Sequence, residues 1–253
     1  MIEAQNINFS YGKNEILKNI SLKFEKGKLY AVIGPNGCGK TTLIKLLSRI
    51  NSCKGGKLSI DGQEYQYVKR KKFSQKVAFL PQGRNVPNMT VYDLVSCGRF
   101  PYLTLTRRLS TEDEKNINSA LMATNTKDFA EKSLKKLSGG ERQRVYIAML
   151  LAQTSSYLLL DEPTTYLDIS AKFDVMNLLC DIKNNGKCVI AVIHDIDLAL
   201  KYADEIILMK DGSIVSKTIP SKIVQNGIIE SVFGIKCGSI DIDGQTIYHF
   251  DTL

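Results

Sequence analysis

The sequence predicts an α/β fold built around a largely parallel sheet, and three observations carry that expectation. Leu29–Ile33, Tyr157–Leu160, Val189–Ile193 and Ile206–Met209 are continuous apolar runs, the pattern of strands covered on both faces. Stretches with helical spacing, Ile169–Lys183 and Ile196–Tyr202, separate the last three runs and give the βαβ alternation of a parallel sheet. The first run ends in a glycine-rich loop that opens onto Leu43, Ile44, Leu46 and Leu47 at helical spacing.

Taken in order, the chain begins with hairpin signals: Ile7-Asn-Phe9 alternates, Tyr11-Gly-Lys-Asn14 turns, and Ile20-Ser-Leu-Lys-Phe24 alternates again. Val77-Ala-Phe-Leu-Pro81 is a further strand, with Gln82 at its end. Strand signals then fade between about Met89 and Gln153. Thr90-Val-Tyr-Asp93 and Ser110-Thr-Glu-Asp-Glu114 each place a capping hydroxyl before an acidic third residue, so both read as helix starts. Ser138 to Gln153 reads as a glycine-rich turn opening a helix whose Val145, Ala148, Met149 and Ala152 share a face. A mostly helical insertion therefore interrupts a strand-rich core. The tail from Ile214 is less regular, with a hairpin expected around Asp243-Gly244.

At 253 residues, with no long-period repeat and no linker rich in Pro, Gly or Ser, one large domain is the simplest organisation. Hydrophobic residues at 43% and charged residues at 24% exclude wholesale disorder. No apolar run approaches the roughly 18–20 residues of a membrane crossing, and the N-terminus lacks the basic-then-apolar layout of a signal peptide. The expectation is a cytosolic chain, or one attached to a membrane only through a partner. Six scattered cysteines without a Cys-x-x-Cys pair, beside two histidines, argue against a zinc cluster and read as free thiols in a reducing compartment. The net charge of +8 is concentrated in residues 1–126, with 20 Lys and Arg against 9 Asp and Glu. Its densest stretch, Lys69-Arg-Lys-Lys72 with Lys76, has few interleaved aromatics for base stacking and reads as a solvated face, with contact to lipid headgroups or a partner as the second reading; no nucleic-acid partner is expected.

The chemistry-bearing motif is Gly34-Pro35-Asn36-Gly37-Cys38-Gly39-Lys40-Thr41-Thr42, a Gly-x4-Gly-Lys-Thr loop between an apolar strand and a helix. Its glycines let backbone N–H groups converge on phosphate oxygens, Lys40 supplies charge to the β- and γ-phosphates, and the Thr41 hydroxyl can ligate Mg²⁺. Cys38 reads as a small loop residue whose oxidation would block the site. Tyr157-Leu-Leu-Leu-Asp161-Glu162 ends an apolar strand in two acids, where ligands of parallel sheets bind. Asp161 can hold the Mg²⁺ water shell, and Glu162 can orient or deprotonate a water aimed at the γ-phosphate. Alone, His194 reads as a strand-end histidine, Gln82 as an exposed amide and Tyr11 as a hairpin aromatic. In Leu137-Ser138-Gly139-Gly140-Glu141-Arg-Gln-Arg144, Ser138 caps a helix and the glycines allow its backbone to approach an anion. One nucleotide needs one phosphate cradle, so this second surface should serve a neighbouring copy of the chain.

Together these motifs, in this order, resemble the ATP-binding-cassette (ABC) ATPases over the whole chain. The resemblance implies a P-loop NTPase fold of ABC type: a RecA-like mixed sheet core with an N-terminal antiparallel β subdomain and an inserted helical subdomain. The core with its β subdomain would span about 1–88 and 155–253, and the helical subdomain about 89–154. It also implies ATP and Mg²⁺ as ligands, Tyr11 stacking on adenine, Gln82 at the Mg²⁺ and attacking water, and His194 on the γ-phosphate. Asp168 would close a further loop of the site. Two chains would pair head to tail, each P-loop facing the partner's Ser138-Gly139-Gly140 turn.

The loop Pro163-Thr-Thr-Tyr-Leu-Asp168-Ile-Ser is similar to that of ATPases from iron-chelate (siderophore, haem) and cobalamin importers. The segments Gln82-Gly-Arg-Asn-Val-Pro-Asn-Met-Thr-Val, Cys97-Gly-Arg-Phe-Pro-Tyr102 and Val232-Phe-Gly-Ile resemble the same group. The implied role is ATP hydrolysis powering uptake of a ferric siderophore, at the cytoplasmic side of the cell membrane. Membrane permease subunits and, indirectly, an external substrate-binding protein are the implied partners. Haem or cobalamin import is the alternative within the group. Outside transport, the iron–sulfur assembly ATPase has comparable length but fits the Thr165–Asp168 loop less well. DNA-repair relatives need a long coiled coil between P-loop and signature, for which the roughly one hundred residues here leave no room.

Overall fold

The computed structural model describes residues 1–53, 55–83, 85–103, 108–242 and 245–252, Gln245 by its backbone alone. The chain opens with two long strands, β1 (Ile2–Tyr11) and β2 (Asn14–Phe24), followed by the short buried strand β3 (Leu29–Ile33) and α1 (Lys40–Leu47). Next come β4 (Gly55–Ile60), β5 (Gln63–Glu64), α2 (Arg70–Lys76) and β6 (Val77–Leu80). Among the described residues three α-helices intervene, α3 (Val91–Ser96), α4 (Thr111–Ala123) and α5 (Gly139–Ala152), before β7 (Tyr157–Asp161). The chain then alternates through α6 (Ile169–Asn184), β8 (Cys188–Val192), α7 (Ile196–Tyr202), β9 (Glu205–Lys210) and β10 (Ser213–Thr218). It closes with α8 (Pro220–Gln225), α9 (Ile228–Phe233) and the antiparallel pair β11 (Ile235–Ile242) and β12 (Gln245–Thr252). That pair lies where a hairpin is expected; its turn, Asp243-Gly244, is outside the described residues, as is Arg84 of the Gln82 segment.

Among the described residues the larger sheet has the order β10-β9-β3-β8-β7-β6. Its strands β9, β3, β8, β7 and β6 are parallel, and β10 runs antiparallel at the edge, so the sheet is mixed as expected. Both faces are dry because alternate residues serve different cores. Leu29, Ala31, Leu158, Leu160, Val189 and Ala191 pack against the helices α3 to α7. Tyr30, Val32, Tyr157, Leu159, Ile190 and Val192 pack against α1 and the antiparallel sheet β2-β1-β4-β5. Double-sided burial is why these strands show no polar alternation. It also rigidly sets the sheet edge from which the chemistry-bearing loops emerge.

All three helix starts expected between Met89 and Gln153 form capping boxes: Thr90 with Asp93 on α3, Ser110 with Asp113 on α4, and Ser138 with Glu141 on α5. The Cys97–Tyr102 segment proves structural. Arg99 is 3% exposed; its Nε donates to Asp113 at 2.8 Å and its Nη1 donates to the Ala152 carbonyl at 2.7 Å. Tyr102 stacks under the guanidinium and donates to the Gln153 carbonyl at 3.0 Å. The segment therefore fastens α4 to the C-terminal end of α5. Lys69, Arg70, Lys71 and Lys72 are exposed, and Lys76 pairs with Asp61 at 2.6 Å. Among the described residues no helix is long and apolar enough to cross a membrane.

Candidate functional site

Parallel topology sends four loops to one edge of the sheet. The 34–39 loop leaves β3, Gln82 follows β6, Asp161 and Glu162 end β7, and His194 follows β8. Register aligns them: Asp161 lies opposite Val192, the Glu162 N–H donates to the Val192 carbonyl, and the Ile193 N–H donates to the Val32 carbonyl.

The loop itself is built by close packing. Gly34 has φ 150°, and a Cβ there would meet the Met209 carbonyl oxygen at 2.2 Å, so no side chain fits. Cys38 is buried behind the loop among the residues under the sheet. Burial pushes its thiol up from the ordinary range, Lys40 opposing, which makes it a poor nucleophile. Lys40 is 6% exposed, and its ammonium donates to the carbonyls of Gly34 at 2.7 Å and Pro35 at 2.9 Å. Gly39 caps α1 without any side-chain acceptor, so the first N–H groups of that helix remain available to an anion.

A cavity of about 620 Å³ opens over this loop. Asn36, Gly37, Gly39, Lys40, Thr41 and Thr42 line it, together with Gln82, Glu162 and His194. Glu162 has a left-handed backbone (φ 55°), and its carboxylate is held from three sides. Gln82 Nε2 donates to Oε2 at 2.6 Å, Thr165 Oγ1 donates to the same oxygen at 3.0 Å, and His194 Nε2 lies 2.5 Å from Oε1. Beneath them the Thr41 hydroxyl donates to Asp161 Oδ1 at 3.1 Å. Asp161 is 1% exposed and its Oδ2 has no hydrogen-bond partner. Burial pushes this carboxyl up from its ordinary range; the Thr41 hydrogen bond opposes the rise and neighbouring Glu162 adds to it.

Other expected residues lie apart from this cavity. Tyr11 packs edge-on against Phe9, its hydroxyl accepts from Asn51 Nδ2 at 2.7 Å, and it does not line the cavity. Ser138 and Glu141 form a capping box on α5, Glu141 N–H donating to Ser138 Oγ at 3.2 Å and Ser138 N–H donating to Glu141 Oε2 at 2.7 Å. That bonding holds the Glu141 carboxylate below its ordinary range and occupies it with the helix end. Ser138 and Gly139 face outward, with Gly139 on a separate depression shared with Glu162 and Tyr166. Gly140 lacks a Cβ for an internal reason, since one would stand 2.9 Å from Ala171 Cβ on α6. Asp168 caps α6, accepting from Ala171 N–H and the Ser170 hydroxyl at 2.8 Å each, and does not line the cavity.

Sequence reasoning missed Ile16, Thr165, Tyr166 and the Lys172–Asp195 ion pair (2.9 Å) on the cavity rim. Ile16 reaches the rim only because β2 passes the 34–39 loop, a long-range contact without a local signal. Thr165 and Tyr166 stand in a loop that the sequence already marks.

Comparison with known proteins is decisive about family. Residues 17–165 match the family model described as ABC transporter.

The chain belongs to the ABC transporter family.

This ABC ATPase, which binds ATP as the family does, is 38% identical over 242 residues to the ferric enterobactin transport ATP-binding protein FepC of Escherichia coli strain K12. That match covers 95% of the chain and 89% of FepC. It is also 38% identical over 249 residues to the petrobactin import ATP-binding protein YclP of Bacillus subtilis strain 168, with 98% of each covered. Among solved structures it is similar to a chain of a metal-chelate type ABC transporter in an inward-facing conformation. There the TM-score is 0.86 and the identity 25%, over 100% of this chain and 97% of that one.

Proposed function

We propose that this ABC ATPase is the energy-supplying subunit of an importer that takes up an iron chelate, a ferric siderophore first, through a membrane permease. The observation that carries the hydrolytic half is the arrangement at the end of β7: Glu162 braced by Gln82 and His194, directly above the Thr41–Asp161 pair. The names of the two relatives, one for ferric enterobactin and one for petrobactin, support the cargo class.

Thr41 and Asp161 fit a hard divalent cation. A buried carboxylate oxygen without a partner beside a hydroxyl is an oxygen-only donor set, and a cation would offset the cost of burying that charge. Thr41, Asp161 and, from the rim, Gln82 would hold Mg²⁺, which when bound neutralises charge on the β- and γ-phosphates. Lys40 exchanges the Gly34 and Pro35 carbonyls for phosphate oxygens. Glu162 takes the proton of the attacking water, while His194 holds Glu162 and meets the γ-phosphate. Tyr11 stacks on adenine once its ring leaves Phe9. The outward Ser138-Gly139 turn contacts the γ-phosphate bound by a second copy, so ATP bridges two chains where ADP cannot. The dimer works at the cytoplasmic face of the membrane, its permease fed by an external binding protein.

The test is ATPase stimulation by a reconstituted membrane permease in the presence of candidate chelates. Ferric siderophore should stimulate, and haem and cobalamin should not. Stimulation by either of the latter alone would reassign the cargo.

A further inference from the structure

We propose that Thr165 is a positioning residue for hydrolysis, holding the Glu162 carboxylate through its hydroxyl; the proposal rests on the reading of Glu162 as the base.

Three donors meet this carboxylate, and they differ in origin. Gln82 follows β6 and His194 follows β8, so each reaches Glu162 from a separate strand and each is also placed to contact nucleotide. Thr165 alone stands in the same loop as Glu162. Its N–H donates to the Glu162 carbonyl at 3.4 Å, closing a turn, and the same geometry folds its hydroxyl back over Oε2 at 3.0 Å. The turn is bracketed by two non-glycine residues with left-handed backbones, Glu162 (φ 55°) and Tyr166 (φ 64°). Such conformations cost energy for residues with a Cβ, and they persist where the surroundings hold them. Here Thr164 is 2% exposed and fixes the middle of the turn.

The consequence is mechanical. When Gln82 and His194 also engage nucleotide, the Thr165 hydroxyl is the donor committed to the carboxylate alone, and it keeps that group from rotating. A base must present an oxygen lone pair to the water within hydrogen-bond reach, and losing that orientation slows proton transfer without weakening ATP binding. An isosteric valine keeps the volume of the side chain and removes only the donor.

The experiment is steady-state ATP hydrolysis by the full chain carrying Thr165→Val, Thr165→Ser or Glu162→Gln. Thr165→Val should lower kcat about tenfold with the KM for ATP within about twofold. Thr165→Ser, which restores the hydroxyl, should return kcat to within about twofold of the starting chain. Undiminished kcat in Thr165→Val, a raised KM at unchanged kcat, or a Ser variant as slow as the Val variant would each overturn the proposal. Glu162→Gln separates the two levels. If it is inactive while Thr165→Val runs at full speed, only the role of Thr165 falls; if it hydrolyses normally, the assignment of the base falls and the proposal with it.

Discussion

Nε2 of His194 lies 2.5 Å from Oε1 of Glu162, a contact between the ends of two neighbouring parallel strands. A carboxylate only accepts, so the imidazole donates through Nε2 and that tautomer is set by Glu162. Glu162 is thereby held in place by a residue that also lines the nucleotide cavity.

Replacing His194 by alanine should therefore reduce turnover far more than binding. The expected result is a fall in kcat of roughly 10²-fold, in the range of a positioned proton-transfer partner. Equilibrium binding of a fluorescent ATP analogue should change little. Equal losses in both would place His194 in the nucleotide-binding surface alone.

Asp161 is a site where function and stability oppose each other. Its carboxyl is raised chiefly by burial, so the folded chain binds a proton there more tightly than the unfolded chain. Stability consequently falls as pH rises through the interval between the ordinary carboxylate value and the raised one, and stays reduced above it. Asp161→Asn removes that cost. It should raise Tm by a few degrees at neutral pH in metal-free buffer, a gain on the order of 1 kcal/mol, while abolishing hydrolysis. The gain should shrink in acid, below the ordinary carboxylate range. A lower Tm at neutral pH would show that the carboxylate is satisfied as it stands.

Gly140 of the Ser138-Gly139-Gly140 turn is required by packing. A methyl group added there would sit 2.9 Å from Ala171 Cβ, pushing α5 off α6. Gly140→Ala should cost about 1–3 kcal/mol in chemical denaturation, and Ala171→Gly in the same chain should recover part of it. Strict additivity of the two changes would mean that the contact is not the cause.

The Arg99–Asp113 pair should be the most damaging single truncation among these. Arg99→Ala leaves the carboxylate of buried Asp113 without its cation and the Ala152 carbonyl without its donor. A loss of about 3–5 kcal/mol is expected from urea titration, because an unpaired buried charge remains. A loss under about 1 kcal/mol would contradict the structural role given to this segment.

Much of this architecture is legible in the sequence for identifiable reasons. Double-sided burial leaves unbroken apolar runs, so β3, β7, β8 and β9 announce themselves, and the loops after them carry Lys40, Glu162 and His194. The capping boxes at Thr90 and Ser110 are local and equally readable. By contrast, β4 and α2 have weak patterns, with Leu58 and Ile60 the buried apolar residues of one and Phe73 that of the other. The position of Tyr11 depends on Asn51, a distant partner that no spacing rule supplies, whereas the capping of α6 by Asp168 is local and readable. Thr165 was hidden for the opposite reason: its loop stood out, but the contact to Glu162 needs a left-handed turn that a one-dimensional pattern does not reveal.

In the proposed dimer, ATP joins two copies of this chain, each supplying a P-loop to one nucleotide and a Ser138-Gly139-Gly140 turn to the other. Light scattering coupled to size exclusion tests it on Glu162→Gln, with the nucleotide content of each peak quantified. With ATP and Mg²⁺ a species of twice the mass of one chain holding two ATP is expected, and with ADP a single chain. A single chain that binds ATP stoichiometrically and never doubles in mass at any concentration would contradict it.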